Sequence, residues 1–144
     1  ASARRESARV IIEQYVSGRE IQVGILDGKA LPSIEIRPKT GFYDYKNKYQ
    51  PGAAEEITPS PIPAEAEARV GAAAVKVYDA LRLKVYSRAD FIYDGAGEFW
   101  FLEINTLPGM TPTSLVPQEA AVEGYTYGQL CEKIISLSME KYKA

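Results

Sequence analysis

The pattern of apolar and polar residues changes period several times along this chain, and each change marks a predicted element. From residue 10 the run VIIEQYV is β-rich and predicts a strand over 10–16 with Glu13 inside it. Ser17-Gly18 punctuates it. Residues 19–26 then alternate, with Ile21, Val23 and Ile25 opposed to Glu20, Gln22 and Gly24, the period of two that a strand requires. Asp27-Gly28 signals a tight hairpin into a third strand over 30–37, so three successive strands predict an antiparallel sheet.

Residues 38–63 form the longest stretch without a regular pattern, rich in proline, and are expected to be a loop. Their aromatic and basic residues (Phe42, Tyr43, Tyr45, Lys46, Lys48, Tyr49) argue against plain disorder. Over 64–83 the period becomes helical. Ala66, Val70, Ala73, Val77 and Leu81 recur every three or four residues, Pro63 suits the first turn, and Glu65 and Glu67 suit its dipole. Residues 115–123 predict a short helix interrupted near Pro117. Thr126 begins the last helix with Gln129 completing a capping box, and Leu130, Ile134 and Leu137 form its buried stripe.

Between the helices, residues 85–114 predict two strands joined by a turn at 94–97 and followed by a loop. Arg88 and Asp90 are two apart on the first strand, Glu103 and Asn105 two apart on the second, so each pair shares a face. Counting back from Tyr93 opposite Glu98 sets Arg88 opposite Glu103, and the four polar groups converge on one face. Because both strands are apolar on either side, a plain solvated face is the weaker reading. Two carboxylates and an amide beside an arginine make a hard-oxygen site suited to magnesium and phosphate. Arg88 is either the salt-bridge partner of Glu103 or a group that stabilises charge beside a phosphate. The loop 107–114 (LPGMTPTS) is either an ordinary Pro-Gly turn or, through Gly109, the threonines and Ser114, a place to hold a carboxylate.

Composition narrows the function classes. The 144 residues suit one ordinary domain with a proper core, and 46% hydrophobic and 25% charged residues are globular values. A formal charge of −2 gives no basic footprint for nucleic acid. No apolar run approaches the roughly 18 residues of a membrane-spanning helix. The single cysteine, Cys131, cannot form an internal disulfide, which fits a cytoplasmic protein, and the absence of histidine removes Ser-His and Cys-His catalysis within the chain. The chain opens at Ala1 without a start methionine, as expected of numbering that begins inside a longer protein or after processing.

The blocks EQYVSGREIQVGIL, LPSIEI, GFYDYKNKY, SRADF and FLEINTLPGMTPTSLVP resemble the C-terminal portion of the D-alanine–D-alanine ligases of the ATP-grasp family, from Val10 to the closing helix. The resemblance implies an α+β fold over residues 1–144, the C-terminal subdomain of an ATP-grasp fold, as an antiparallel sheet covered on one side by helices. Residues 38–63 would be an omega-type lid loop. The implied activity is ATP-dependent ligation of two D-alanines into D-alanyl-D-alanine through an acyl phosphate, for peptidoglycan synthesis.

The resemblance also implies residue roles. Asp90, Glu103 and Asn105 match ligands of two magnesium ions, with manganese as an alternative. Arg88 matches the arginine that stabilises the intermediates, and Gly109 an oxyanion contact. Ser114 and Leu115 match the contact to the second D-alanine's carboxylate. Glu13 and Glu20 fall on the adenine and ribose sides of ATP, and Lys48 and Tyr49 match the pair on the closing loop. Relatives that make D-alanyl-D-lactate carry a histidine in that loop, and its absence here favours the dipeptide. The family's N-terminal domain, its first ATP-grasp segment, the phosphate-binding lysines and the glutamate anchoring the first D-alanine have no counterpart in this chain. Isolated, it is therefore expected to be inactive; with the missing part, a homodimer is expected. Alternatives are another ATP-grasp carboxylate–amine ligase or a non-catalytic nucleotide-binding module.

Overall fold

A computed structural model of the chain describes residues 3–6, 8–38 and 54–141. A four-residue helix α1 (Ala3–Glu6) precedes an irregular stretch. The strands are β1 (Gly18–Leu26), β2 (Lys29–Ala30), β3 (Ile34–Pro38), β4 (Ala54–Ile57), β5 (Tyr86–Asp94) and β6 (Phe99–Asn105). The longer helices are α2 (Ala64–Ala80), α3 (Leu115–Val122) and α4 (Tyr127–Lys141). All pairings are antiparallel, in the order β4-β3-β1-β5-β6, with β2 attached to β1.

β1 is the central strand because its alternation serves two covered faces. Ile21, Val23 and Ile25 meet Val70, Ala74 and Tyr78 of α2, with Ala89 and Phe91 of β5 in the same buried cluster. On the opposite face Leu26 packs with Leu31, Val116 and Ala120 of α3 and Leu130 of α4. Helices therefore cover both faces, α2 one and α3 with α4 one end of the other. This corrects the expectation of one-sided cover.

Asp27 and Gly28 take positive φ of 54° and 74°, the hairpin turn their sequence signals. The returning strand is split into β2 and β3 by Leu31-Pro32-Ser33, because Pro32 has no ladder donor. The expected strand over 10–16 is absent. Ile11 and Ile12 are 85% and 91% exposed. Both edges of β1 are already taken by β3 and β5, so the run cannot pair beside the strand it leads into.

In α2 the buried positions are Ala66, Val70, Ala74 and Tyr78, a strict spacing of four. Ala73 and Val77 are only half-buried and Leu81 is 56% exposed, which corrects the expected stripe. The helix stops at Ala80, short of 83. Arg82 turns left-handed at φ 52° and the Leu83 N–H returns to the Tyr78 carbonyl at 3.0 Å, closing the end without a glycine to announce it. Pro117 does not interrupt α3. It lies in the first turn, where a missing N–H costs nothing. Within 38–63, residues 54–57 form the edge strand β4 on β3; residues 39–53 lie outside the described ones.

The capping box is formed as expected: Gln129 Oε1 accepts the Thr126 N–H at 2.9 Å and Thr126 Oγ1 accepts the Gln129 N–H at 3.3 Å. Thr126→Ala is expected to cost about 1 kcal/mol, read as a lower urea midpoint at unchanged slope.

Candidate functional site

Arg88 and Asp90 lie on β5 facing away from α2 and are 8% and 6% exposed. Arg88 donates to Asp90 through Nε at 2.8 Å and Nη2 at 2.9 Å. Burial works against the arginine's charge, but the hydrogen bonds and charge of Asp90, with Glu119 and Glu103 beyond, hold its pKa above the ordinary value. Arg88 thus pairs with Asp90, not with Glu103 as the spacing suggested.

The register explains the difference. Tyr93 pairs with Phe99 and Phe91 with Phe101, one residue away from the expected count. A bulge between Asp90 and Phe91 then makes Leu102 an extra residue, so Asp90 faces Glu103 and Arg88 faces Asn105. Were the register of Phe91–Phe101 continued, Glu103 would lie opposite Ala89, toward α2. The bulge is what turns Glu103 and Asn105 onto the face of Asp90. The turn itself is held by Asp94, which accepts the N–H groups of Ala96 and Glu98 and the Trp100 indole, each at 2.8–2.9 Å.

This face continues in both directions. Two residues before Asp90's partner Gln22, Glu20 pairs with Ile92 and with Ile36. All three line a cleft of about 830 Å³ together with Tyr15, Val16 and Pro38. Two strand residues span about 7 Å, so the cleft opens immediately beside Asp90. Glu20 is in its wall; Glu13 is exposed and outside it. Lys48 and Tyr49 lie outside the described residues.

Beyond β6, Ser114 Oγ accepts the Thr111 N–H at 3.0 Å and lies 2.8 Å from Thr111 Oγ1. A Cβ placed on Gly109 would lie 3.1 Å from that same oxygen, so Gly109, Ser114 and the start of α3 at Leu115 form one small cluster. No side chain caps the first turn of α3 among the described residues.

Sequence reasoning missed one group. Glu119, in α3, is 0% exposed and sits directly over β1, its Oε1 accepting the Gly24 N–H at 2.9 Å. Burial pushes its carboxyl well above the usual range, against the pull of the Gly24 N–H and Arg88. Its signal was a lone glutamate within the otherwise mostly apolar helix LVPQEAAV. A Cβ on Gly24 would approach Glu119 Oε2 to 2.6 Å. Gly24→Ala is therefore expected to cost about 2 kcal/mol, and less in a Glu119→Ala background, a coupling readable in a double-mutant cycle by urea unfolding.

Chemically, two carboxylates, an amide oxygen and a guanidinium share one face. Among the described residues, no group of three or more histidine, cysteine, aspartate or glutamate side chains is suited to hold a metal alone. The Asp90, Glu103 and Asn105 set does fit magnesium in its usual mode, in which one or two carboxylates are completed by phosphate oxygens and water.

The family model described as D-ala D-ala ligase C-terminus matches residues 1–136. The chain belongs to that family. It is 47% identical over 135 residues to the D-alanine--D-alanine ligase of Methylacidiphilum infernorum, covering 94% of this chain and 45% of the relative. To that of Oleidesulfovibrio alaskensis it is 50% identical over 130 residues, 90% of this chain and 42% of the relative. The chain thus spans less than half the length of these ligases. The Bacillus anthracis D-alanine--D-alanine ligase complexed with ATP superposes with a TM-score of 0.77 at 37% identity, over 91% of this chain and 41% of that one. The VanG D-Ala:D-Ser ligase of Enterococcus faecalis superposes at 0.75 with 35% identity, over 86% of this chain and 37% of that one. The D-ala D-ala ligase C-terminus fold is thus the antiparallel sheet and helices described above.

Proposed function

We propose that this chain is the part of a D-alanine–D-alanine ligase that holds magnesium and the ATP phosphates. The observation that carries the reading is the placing of Asp90, Glu103 and Asn105 on one face, between the cleft beside Glu20 and the Gly109–Ser114 cluster. Asp90, Glu103 and Asn105 hold the metal, as two magnesium ions or manganese in their place. When bound, the metal neutralises charge on the phosphates during transfer. Arg88 sits beside the reacting groups and offsets negative charge there. The Gly109 N–H serves the developing oxyanion, and Ser114 with Leu115 receives the second D-alanine's carboxylate at the uncapped first turn of α3. Glu20 meets the ribose and Glu13 the adenine side, while Lys48 and Tyr49 exclude water from the acyl phosphate.

The rest of the enzyme, expected as a cytoplasmic homodimer, supplies the contacts to the first D-alanine. Exposed Ile11, Ile12 and Leu107 suit burial against that remaining part. Alone, the chain binds nucleotide without turnover. Titrating ATP into it calorimetrically with and without magnesium tests this. Magnesium-dependent binding is expected, whereas binding indifferent to magnesium, or robust D-alanine-dependent ADP release by the chain alone, would overturn the reading.

A second reading, ligation of D-alanine to D-serine, draws on the likeness to the VanG structure. It differs only in the amine accepted, and comparing D-alanine with D-serine as the driver of ADP formation in the complete ligase separates the two.

A further inference from the structure

Arg88 uses two of its five N–H donors on Asp90. Directly across the ladder its neighbour on β1 is Gly24. Opposed residues in an antiparallel pair carry their Cβ positions about 5 Å apart. The Cβ position of Gly24 is 2.6 Å from Glu119 Oε2, so the Glu119 carboxyl stands beside the Arg88 side chain on the same face. Its Oε1 is taken by the Gly24 N–H; its Oε2 is buried and has no hydrogen-bond partner among the described residues. Of the charged side chains acting on Glu119, Arg88 is the cation, and Asp90 and Glu67 are anions. A buried acceptor without a partner is uncommon and needs an explanation. Gln22 Oε1 is a second such atom, across from Asp90, but it is an amide oxygen and carries no charge to hold a guanidinium.

We propose that Glu119 is a positioning residue for Arg88: when a cation engages Asp90, the guanidinium passes from Asp90 to Glu119 Oε2 and stays ordered in the site. This rests on the reading of Asp90 as a cation ligand. The exchange balances in hydrogen bonds. Asp90 loses two donors and gains the cation, Arg88 keeps a carboxyl acceptor, and Glu119 Oε2 gains the partner it lacks. Only side-chain torsions need change. Without Glu119, a cation at Asp90 would leave a buried guanidinium without its acceptor and free to swing away from the phosphates.

Asp90→Asn withdraws the carboxylate from Arg88 without any metal, so it separates the handover from the question of cation binding. The readout is hydrogen exchange at the Arg88 Nε–Hε group, followed by NMR on the whole chain. Glu119→Gln keeps the shape and the acceptor for the Gly24 N–H but places an amide nitrogen where Oε2 stood. Protection is expected in the wild type, in Glu119→Gln and in Asp90→Asn. In Asp90→Asn/Glu119→Gln exchange is expected to be faster by about tenfold or more, the scale of one lost charge-assisted hydrogen bond. Protection lost in Asp90→Asn while the sheet amides stay protected, or kept in the double variant, would overturn the proposal. If the double variant does not fold, Asp90→Ala, which leaves Arg88 no side-chain acceptor at position 90, replaces it, and loss of Nε–Hε protection there would overturn the proposal. Magnesium-ATP added to the wild type is expected to move the Arg88 resonance toward its Asp90→Asn position. A resonance that stays put would remove the cation trigger and the ligand role of Asp90, whereas the variants report on the Arg88–Glu119 contact itself.

Discussion

Glu103→Gln is expected to weaken magnesium-ATP binding by about 100-fold, the loss of one charged ligand from a site with few of them, and to leave the melting temperature unchanged within about 2 °C. The separation follows from where the two carboxylates sit. Asp90 is 6% exposed and shares its charge with Arg88, so changing it alters an internal ion pair as well as the site. Glu103 lies directly opposite on β6, is exposed, and its carboxylate forms no hydrogen bond with the described residues. Its carboxylate is held ready by the strand geometry alone, so its removal disturbs the ligand and not the fold. Calorimetric titration beside a thermal melt of the same sample checks both halves. Unchanged binding in a folded variant would remove Glu103 from the metal set, and with it the assignment of this face to phosphate.

Within each strand the sharing of a face, Arg88 with Asp90 and Glu103 with Asn105, was legible in the sequence because any strand obeys a period of two; that both pairs turn to the same side depends on the bulge. What the sequence did not carry was the neighbour of each group. Leu102 has neither the glycine nor the proline that would mark a bulge, yet it decides that Asp90, and not Arg88, looks at Glu103. The run VIIEQYV has strong β propensity and no strand, because propensity states what a segment tolerates and the ladder positions beside β1 were already filled. The weak signal of Glu119 was passed over for a related reason. Its partner is the backbone of Gly24, 95 residues away, and a glutamate in a short helix reads as solvated until the sheet beneath it is known. Local chemistry such as the Thr126–Gln129 box and the Asp27-Gly28 turn was readable because both partners lie within a few residues.

Glu35→Gln is expected to lower stability by about 3 kcal/mol at neutral pH, roughly 10 °C in melting temperature, even though it preserves side-chain volume. Glu35 is 1% exposed on the α2 face of β3. Arg19 donates to it at 2.8 and 2.6 Å and Arg37 twice at 3.0 Å, so one buried carboxylate balances two half-exposed guanidinium groups. Burial alone would raise the carboxyl's pKa, but the hydrogen bonds from Arg19 and Arg37 outweigh it and hold the group below the usual glutamate value of 4.5. The sign of the pH dependence follows. A carboxyl with a depressed folded pKa adds stability that is fully present above its unfolded value and fades as pH falls through the folded one. The gap between wild type and Glu35→Gln should therefore be constant from pH 8 to about pH 5 and shrink as acid protonates the wild-type glutamate. The exposed pair of Arg69 and Glu98 makes a single contact of similar length, 2.9 Å, and lies in solvent, so Glu98→Gln should cost well under about 1 kcal/mol. Urea unfolding of the three proteins at pH 7 and pH 3 checks the contrast. A Glu35→Gln gap that is as large at pH 3 as at pH 7 would assign the cost to packing and not to the paired charge.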